Sequence, residues 1–367
     1  MKRVLILGGY GNFGTHIAAK LSGDANLQLI LSGRSEEKCR KAAALYKDAP
    51  NPAIGFAFDI EQDLPAALNR LRPDIVIHTS GPYQGQDYTV AEACIEYGCH
   101  YIDLADAREF VAGIDILDDK ARAKGVMVIS GASSVPCLTA AIMDEYLPQF
   151  GTIQKIDYGI STAQRTNTGL ATTKAILGYV GQPFNTLIRG RQQPVYGWQG
   201  LVARRYLELG LRLLGNCDVP DLALFPARYP DLETIRFRAG LEIPFMHLGL
   251  WALSWLVRFW LLPNLAPLAE FLLKSSRLFD GIGSDRSALH FEMTGTDKTG
   301  APKTATFYLL AGSGHGPFIP SVPAILCTRL LAEGTLLKPG ASACLGILSL
   351  AQYLEALKGL DIRTIRD

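Results

Sequence analysis

Gly9, Gly11 and Gly14 fall at GxGxxG spacing within Gly8-Gly9-Tyr10-Gly11-Asn12-Phe13-Gly14. The chemistry this spacing offers belongs to the backbone. Gly9 permits a tight turn, Gly11 lets the main chain approach a pyrophosphate, and Gly14 lets a helix pack on a strand. The helix N-terminus beyond them, from Asn12 and Phe13 onward, presents N–H groups to phosphate oxygens. A second group, Ser32-Gly33-Arg34-Ser35, stands where an enzyme for NAD usually carries Asp or Glu to hold both ribose hydroxyls. No acid occurs here before Glu36. A carboxylate would repel a 2′-phosphate, whereas the Arg34 guanidinium and the Ser32 and Ser35 hydroxyls would bind it. The expected cofactor is therefore NADP(H) in preference to NAD(H).

These groups need a sheet to position them. Residues 3–7 form a short apolar run without alternation, as expected for a parallel strand buried on both faces. Further strand patterns occur at 27–31, 54–58, 74–79, 100–104 and 126–130, with helical patterns at 15–21, 36–46, 63–71, 88–97 and 114–124. Strands alternating with helices predict an α/β doubly wound parallel sheet with right-handed crossovers. Asp59 comes directly after the third strand, where it either reaches the adenine edge or caps a helix. Ser80, Gly81, Pro82 and Tyr83 come after the fourth, at the carboxyl edge where ligands sit in such sheets. There Gly81-Pro82 forms a turn near the nicotinamide end, and Tyr83 borders the reaction site.

Hydride transfer needs positioning and a proton donor rather than a nucleophile. Tyr83, Asp103 and Asp106 are the candidates by position, each with a structural hydrogen-bonding role as its alternative. Cys137 comes after Pro136 at a helix start, where a thiol is activated or, as for most isolated cysteines, buried and inert. Arg165, in the run Arg165-Thr166-Asn167-Thr168-Gly169, could bind a substrate carboxylate. So could Arg286, and His315 lies in a glycine-rich loop able to close on the cofactor.

In the second half, 153–162, 233–238, 287–295 and 302–311 read as strands, the last two joined by the turn Asp297-Lys298-Thr299-Gly300. An α+β domain with an antiparallel sheet is expected. Residues 243–273 are strongly apolar. The uncharged run before Arg258 is too short to span a bilayer, and Pro263 and Pro267 interrupt the apolar residues beyond it. The segment fits four roles: buried core, a lid on an apolar substrate pocket, a dimer interface, or a peripheral membrane contact in which Trp251, Trp255 and Trp260 lie at the headgroup boundary.

Composition excludes other classes. The 367 residues are 48% hydrophobic and 19% charged with a net charge of +1, which gives no electrostatic case for nucleic acid. The seven cysteines show neither paired spacing nor CxxC. Together with an N-terminus that enters a strand, this leads us to expect reduced thiols in the cytoplasm, with association at a membrane surface as the variant that 243–273 allows. No metal-ligand spacing occurs, so no metal is expected. The absence of YxxxK argues against short-chain dehydrogenase chemistry, and the absence of GxSxG against a serine hydrolase.

GGYGNFG, the SGRS run at 32–35, Gly81-Pro82-Tyr83, the Val90–Cys94 segment, the His100–Asp106 segment and Gly131-Ala132-Ser133-Ser134-Val135-Pro136 together resemble the saccharopine dehydrogenase-like family. The resemblance is specific through about residue 145 and looser beyond, where it includes the GSGHGP run at 312–317 and Pro339-Gly340-Ala341. It implies a Rossmann domain over 1–135, completed by C-terminal helices within 320–358, and an α+β substrate and dimerisation domain over 136–319. It also implies that Tyr83, Asp103, Asp106 and Cys137 line a cleft; a homodimer is the expected assembly. Ala132-Ser133-Ser134-Val135-Pro136-Cys137 departs from the Gly-x-Asp-Pro-Gly of the amino-acid-metabolising members, which argues against saccharopine itself as substrate. The leading expectation is hydride transfer between NADP(H) and a C=N or C=C bond of a hydrophobic small molecule. The competing one is a non-catalytic NADP-binding protein that docks on a membrane surface or a partner.

Overall fold

In the computed structural model, which describes residues 1–166, 169–335 and 338–366, Val4, Leu5, Ile6 and Leu7 have no solvent exposure. A strand covered on both faces needs apolar residues at every position rather than every second one, and this strand is β1 (Lys2–Leu7). After it come α1 (Asn12–Leu21), β2 (Leu27–Gly33), α2 (Glu36–Ala44), β3 (Ile54–Ala57), α3 (Ile60–Leu71) and β4 (Ile75–His78). Next are α4 (Thr89–Tyr97), β5 (His100–Asp103), α5 (Arg108–Ala112), α6 (Asp118–Lys124), β6 (Met127–Ser130) and α7 (Thr139–Tyr146). The six strands pair in parallel in the order β6-β5-β4-β1-β2-β3. The order reverses beside β1, and in a doubly wound sheet ligands bind at that reversal, off the carboxyl ends of the strands. Leu5, Leu7, Ile30, Val76, Tyr101 and Val128 belong to the core under this sheet.

The chain divides into two units. One comprises Met1–Ala141 with Phe318–Ala356; the other comprises Ile142–Pro317 with the residues from Leu357 on. The second unit contributes β7 (Thr152–Ser161), α8 (Leu170–Tyr179), β8 (Pro183–Ile188), β9 (Arg191–Tyr196), β10 (Val202–Tyr206) and β11 (Gly210–Asn216). It continues with α9 (Asp221–Arg228), β12 (Thr234–Gly240), α10 (Pro244–Arg258), α11 (Ala269–Ser276), β13 (Ser287–Thr296) and β14 (Pro302–Ala311). The first unit then resumes with α12 (Val322–Glu333), β15 (Gly340–Ala343) and α13 (Leu350–Ala356), and β16 (Ile362–Arg366) ends the second. β15 pairs in parallel with β6 as a seventh strand of the first sheet.

The second sheet runs β10-β11-β12-β7-β13-β14-β16. It is mixed rather than wholly antiparallel, because β12 pairs with β7 in parallel. Like-directed neighbours need a long crossover, and residues 162–233, with α8, the β8–β9 hairpin, β10, β11 and α9, supply it. The expected turn at Asp297 is present: its Oδ1 accepts from the N–H groups of Thr299 and Ala301 and from the Thr299 hydroxyl. Two helices differ from the sequence reading. α3 starts at Ile60 because Asp59 caps it, and the pattern at 114–124 splits into a 3-10 turn (Ile114–Leu117) before α6.

The apolar segment 243–273 becomes α10, a turn and the start of α11, and it is core on one side only. Val257, Leu265 and Ala269 pack on Leu177, Val180 and Trp198. On the other side, Trp260 is 86% exposed, Leu261 69% and Phe271 67%, which overturns the reading of the whole segment as buried core. Trp251 and Trp255 are half-buried, edge to face with 6.0 Å between ring centroids, so of the three tryptophans only Trp260 lies at the surface. Arg258 ends α10, donating to Gln199 Oε1 at 2.7 Å with its guanidinium 4.0 Å from the Tyr196 ring centre. Among the described residues no helix is long and apolar enough to cross a membrane.

Candidate functional site

The glycine-rich turn leaves β1 with Gly8 at φ +80° and is closed by the N–H groups of Gly8 and Gly9, which both donate to the Ser32 carbonyl. A Cβ on Gly9 would meet the Leu31 backbone at 2.9 Å, one on Gly11 the Gly8 carbonyl oxygen at 3.0 Å, and one on Gly14 would collide with that same oxygen. Gly9 and Gly14 therefore exclude a side chain and Gly11 leaves one little clearance, and the main chain remains accessible where a pyrophosphate has to approach. Gly11 caps α1 with no side-chain hydrogen bond, and the first turn carries no acid. Asn12, Phe13 and Gly14 thus open a ten-residue helix whose positive end offers its amides to an anion.

At the end of β2 the four residues behave differently from one another. Ser32 is 1% exposed and its hydroxyl donates to the Ile6 carbonyl at 3.0 Å. That corrects the expectation that its hydroxyl faces a 2′-phosphate: the group is turned into the sheet and ties β2 to β1. Arg34 is exposed and, among the described residues, forms no ion pair. Ser35 caps α2, accepting from the Lys38 N–H at 3.4 Å. Sequence reading missed Tyr10, whose ring fills the space beside Gly33, and Lys38, whose ammonium lies 5.8 Å from that ring centre. The signal was present, since Tyr10 is the variable position inside the glycine motif and Lys38 lies one helical turn beyond Arg34. Asp59 accepts from the Glu61 N–H at 3.1 Å, which is the helix-capping role of its two alternatives.

At the carboxyl ends of β4 and β5 a polar cluster is buried. Thr79 donates to the Leu7 carbonyl at 2.7 Å, and the Gln86 amide donates to the carbonyls of Ser80 and Pro82, fixing the Ser80-Gly81-Pro82 turn, in which the Gly81–Pro82 bond is cis. Tyr83 is 5% exposed and its phenol donates to the His78 carbonyl at 2.6 Å. Burial, reinforced by the nearby Asp103 charge, pushes that phenol well above its usual range. His78 is buried beside it, with Nδ1 3.1 Å from the Tyr101 hydroxyl, and burial lowers its pKa to about 4.

Asp103 has no solvent exposure, and its Oδ1 accepts from the N–H groups of Ala105 and Gly131 and from the Ser130 hydroxyl. Burial outweighs these donors and raises its pKa to about 6. Its contacts join β5 to the end of β6. Asp106 is half-buried and accepts from the Gln84 amide at 3.2 Å, and burial raises its carboxyl too. Cys137 is 2% exposed in the turn leading to α7, with the free thiols of Cys344 and Cys327 clustered beside it. No cation is placed against Cys137 by any contact among the described residues.

The Asp103 carboxyl has a consequence for stability. Its folded pKa of about 6 exceeds the unfolded value of ~3.9, so the native state holds the proton more tightly. The associated stability is fully present below the unfolded value and is lost as pH rises through the folded one. Asp103→Asn removes this dependence. We expect the stability of the variant minus that of wild type to grow by roughly 2–3 kcal/mol from pH ~4 to ~7.5. Urea unfolding at both pH values checks this, and a difference that does not move with pH would refute the assignment. Taking the difference cancels His78, which titrates in both proteins.

In the second unit, Arg165 donates from its backbone N–H to the Ser284 carbonyl and from Nε to the Asp280 carbonyl, both at 2.9 Å. It lines a cavity of about 490 Å³. Arg286 is exposed, with its N–H donating to the Ser284 hydroxyl at 3.2 Å, and it does not line that cavity. His315 Nδ1 accepts from the Asp361 N–H at 2.8 Å and so anchors the chain just before β16. Arg165 and Arg286 thus both bond to Ser284, and Gly314, next to His315, donates to the Asp285 carbonyl, so the three residues lie on neighbouring stretches of backbone; of the three, Arg165 lines the cavity. Asn167 and Thr168 of its run lie outside the described residues.

A buried network on the second sheet was not foreseen. Arg238 Nη1 donates to both oxygens of Asp157 at 2.8 Å, and His290 Nε2 lies 3.8 Å from the same carboxylate. The Tyr206 hydroxyl is 2.6 Å from His290 Nδ1. Burial alone would raise the Asp157 carboxyl, but the His290 ring beside it and the charge and hydrogen bonds of Arg238 hold it well below the usual carboxylate range. Burial lowers the pKa of His290 to about 4. Each residue occupies a separate strand, so no local spacing in the sequence connects them. Among the described residues no group of His, Cys, Asp and Glu could hold a metal ion.

Residues 4–129 match the family model described as the saccharopine dehydrogenase NADP-binding domain. The cofactor is NADP(H), and the glycine cradle and the acid-free end of β2 fit it. Among solved structures, the chain is similar to apo saccharopine dehydrogenase (L-Glu forming) from Saccharomyces cerevisiae, with a TM-score of 0.72 at 13% identity over 100% of each chain. It is also similar to amine dehydrogenase from Mycobacterium smegmatis, with a TM-score of 0.50 at 12% identity over 93% of this chain and 94% of that one. At these identities the likeness establishes the fold. Comparison with curated proteins finds no match.

Proposed function

We propose, from the premise that this chain is a saccharopine dehydrogenase-like oxidoreductase with residues 4–129 as its NADP-binding domain, that it transfers hydride between NADP(H) and a C=N or C=C bond of a hydrophobic small molecule. The observation that carries the cofactor half is the backbone cradle at Gly9, Gly11 and Gly14, which a single Cβ would fill, set on a helix with no side-chain cap. Gly11, Asn12, Phe13 and Gly14 hold the pyrophosphate, Arg34 and Ser35 the 2′-phosphate, and Ser80, Gly81 and Pro82 border the nicotinamide. Bound NADPH supplies a hydride, and the protein supplies position and a proton. Of the buried acids, Asp106 is the one for that proton. It is less buried than Asp103, and burial keeps its carboxyl protonated further toward neutral pH. The Tyr83 hydroxyl is taken up by the His78 carbonyl and Asp103 Oδ1 by two backbone N–H groups and the Ser130 hydroxyl, contacts that shape the turns around it.

The substrate half rests on the apolar character of the second unit. Its test is deuterium transfer. NADPH deuterated on one or the other face of C4 is incubated with the protein and a panel of apolar imines and conjugated enones. Deuterium should reach a product carbon from one face only. Binding of NADPH with no transfer to any member of the panel would favour the second reading, a non-catalytic NADP-binding protein that docks on a lipid surface. The exposure of Trp260, Leu261 and Phe271 supports that second reading, and sedimentation with anionic vesicles tests it, as would a homodimer that buries the same residues.

A further inference from the structure

We infer that the cavity of the second unit is a binding site for a single-chain amphiphile with an anionic head, represented by a medium-chain fatty carboxylate. Three helices build it. Ile176 from α8, Leu250 and Leu253 from α10, and Leu272 from α11 supply aliphatic walls around about 490 Å³. That size lies within the range of small-ligand pockets, which are mostly apolar with few polar groups.

The charges on the lining select the head. Four ionisable residues line the cavity: Arg165, Arg277, Glu242 and Asp280. Glu242 is already neutralised: Arg212 donates to its Oε1 at 3.1 Å, and the Ser284 hydroxyl and the N–H groups of Gln164 and Ser284 occupy the rest of the carboxylate. Asp280 accepts from the Gln164 amide at 2.9 Å. Neither arginine is paired with a carboxylate among the described residues; the one side-chain contact of Arg165 is to a carbonyl. Two guanidinia beside apolar walls complement a carboxylate on an alkyl chain. The inference rests on the reading that the ligand of this chain is hydrophobic, and it gives that ligand a head group and a place.

Decanoate, dodecanoate and tetradecanoate are titrated into the full chain by calorimetry with no nucleotide present. One saturable site is expected, tightening about fourfold for each methylene withdrawn from water until the cavity is full. Arg277→Gln, at an exposed side chain, should weaken dodecanoate by about tenfold and leave dodecanol unchanged. Leu253→Trp, which fills the cavity, should abolish saturable binding of both. Non-saturable binding, or binding that neither variant alters, would place the chains on the exposed apolar surface and overturn the inference. Because no hydride moves in this experiment, its failure leaves the redox proposal standing, and failure of deuterium transfer leaves this site standing.

Discussion

Replacing Arg34 with Asp should raise the dissociation constant of NADPH by about ten- to a hundredfold while leaving that of NADH within a few-fold. The side chain is exposed at the end of β2 and, among the described residues, is held by no carboxylate, so its guanidinium is available to an anion. One charge-assisted contact is worth roughly 1.5–3 kcal/mol, and the new carboxylate adds repulsion against the 2′-phosphate. Ser32 does not share this role, because its hydroxyl is spent on the Ile6 carbonyl. Ser35 and Lys38 remain as neighbours, which is why the loss should stop short of abolition. Fluorescence titration of both nucleotides measures the effect. An unchanged NADPH constant would move 2′-phosphate recognition away from β2.

Arg238→Ala should cost about 3–5 kcal/mol of stability, the usual loss when one partner of a buried ion pair is removed. Arg238 is 7% exposed and donates to both oxygens of Asp157. Without it the carboxylate stays largely buried and loses its hydrogen-bonded cation, with His290, itself held neutral by burial, and the cross-strand Arg236 as the remaining neighbours. Replacing both members, Arg238→Leu with Asp157→Leu, should recover most of the loss, because the buried charge is then gone. Urea unfolding of the single and double variants decides this. A single-variant loss below about 1 kcal/mol would mean that water reaches the pair.

The first unit was legible in the sequence because its signals are local. An unalternated run at 4–7, three glycines at fixed spacing and a strand that ends in Ser-Gly-Arg-Ser each carry their own explanation within a few residues. The direction in which a side chain points was not legible in the same way. Ser32 and Ser35 read alike as hydroxyls, yet one lies inside the sheet and the other caps α2. Asp59 read equally as a cap or a ligand, and its contact with Glu61 is that of a cap.

The second unit was harder to read because its order is set by distant pairings. β9 carries Arg191, Gln192 and Gln193, all exposed, with no apolar alternation to betray a strand. β12 lies parallel to β7 only because a long crossover intervenes. His315 looked like a loop residue ready to meet a ligand, but it receives the Asp361 N–H from far along the chain. Residues 243–273 are apolar enough for core, yet half of that surface faces outward, since a helix over a cavity buries only one stripe.

Native mass spectrometry of the protein purified without detergent, then mixed with NADPH, tests the central claim most directly. The account predicts one bound NADP(H) per chain, retained in wild type and depleted in Arg34→Asp. A spectrum with no bound nucleotide after NADPH is added would contradict the oxidoreductase assignment at its base.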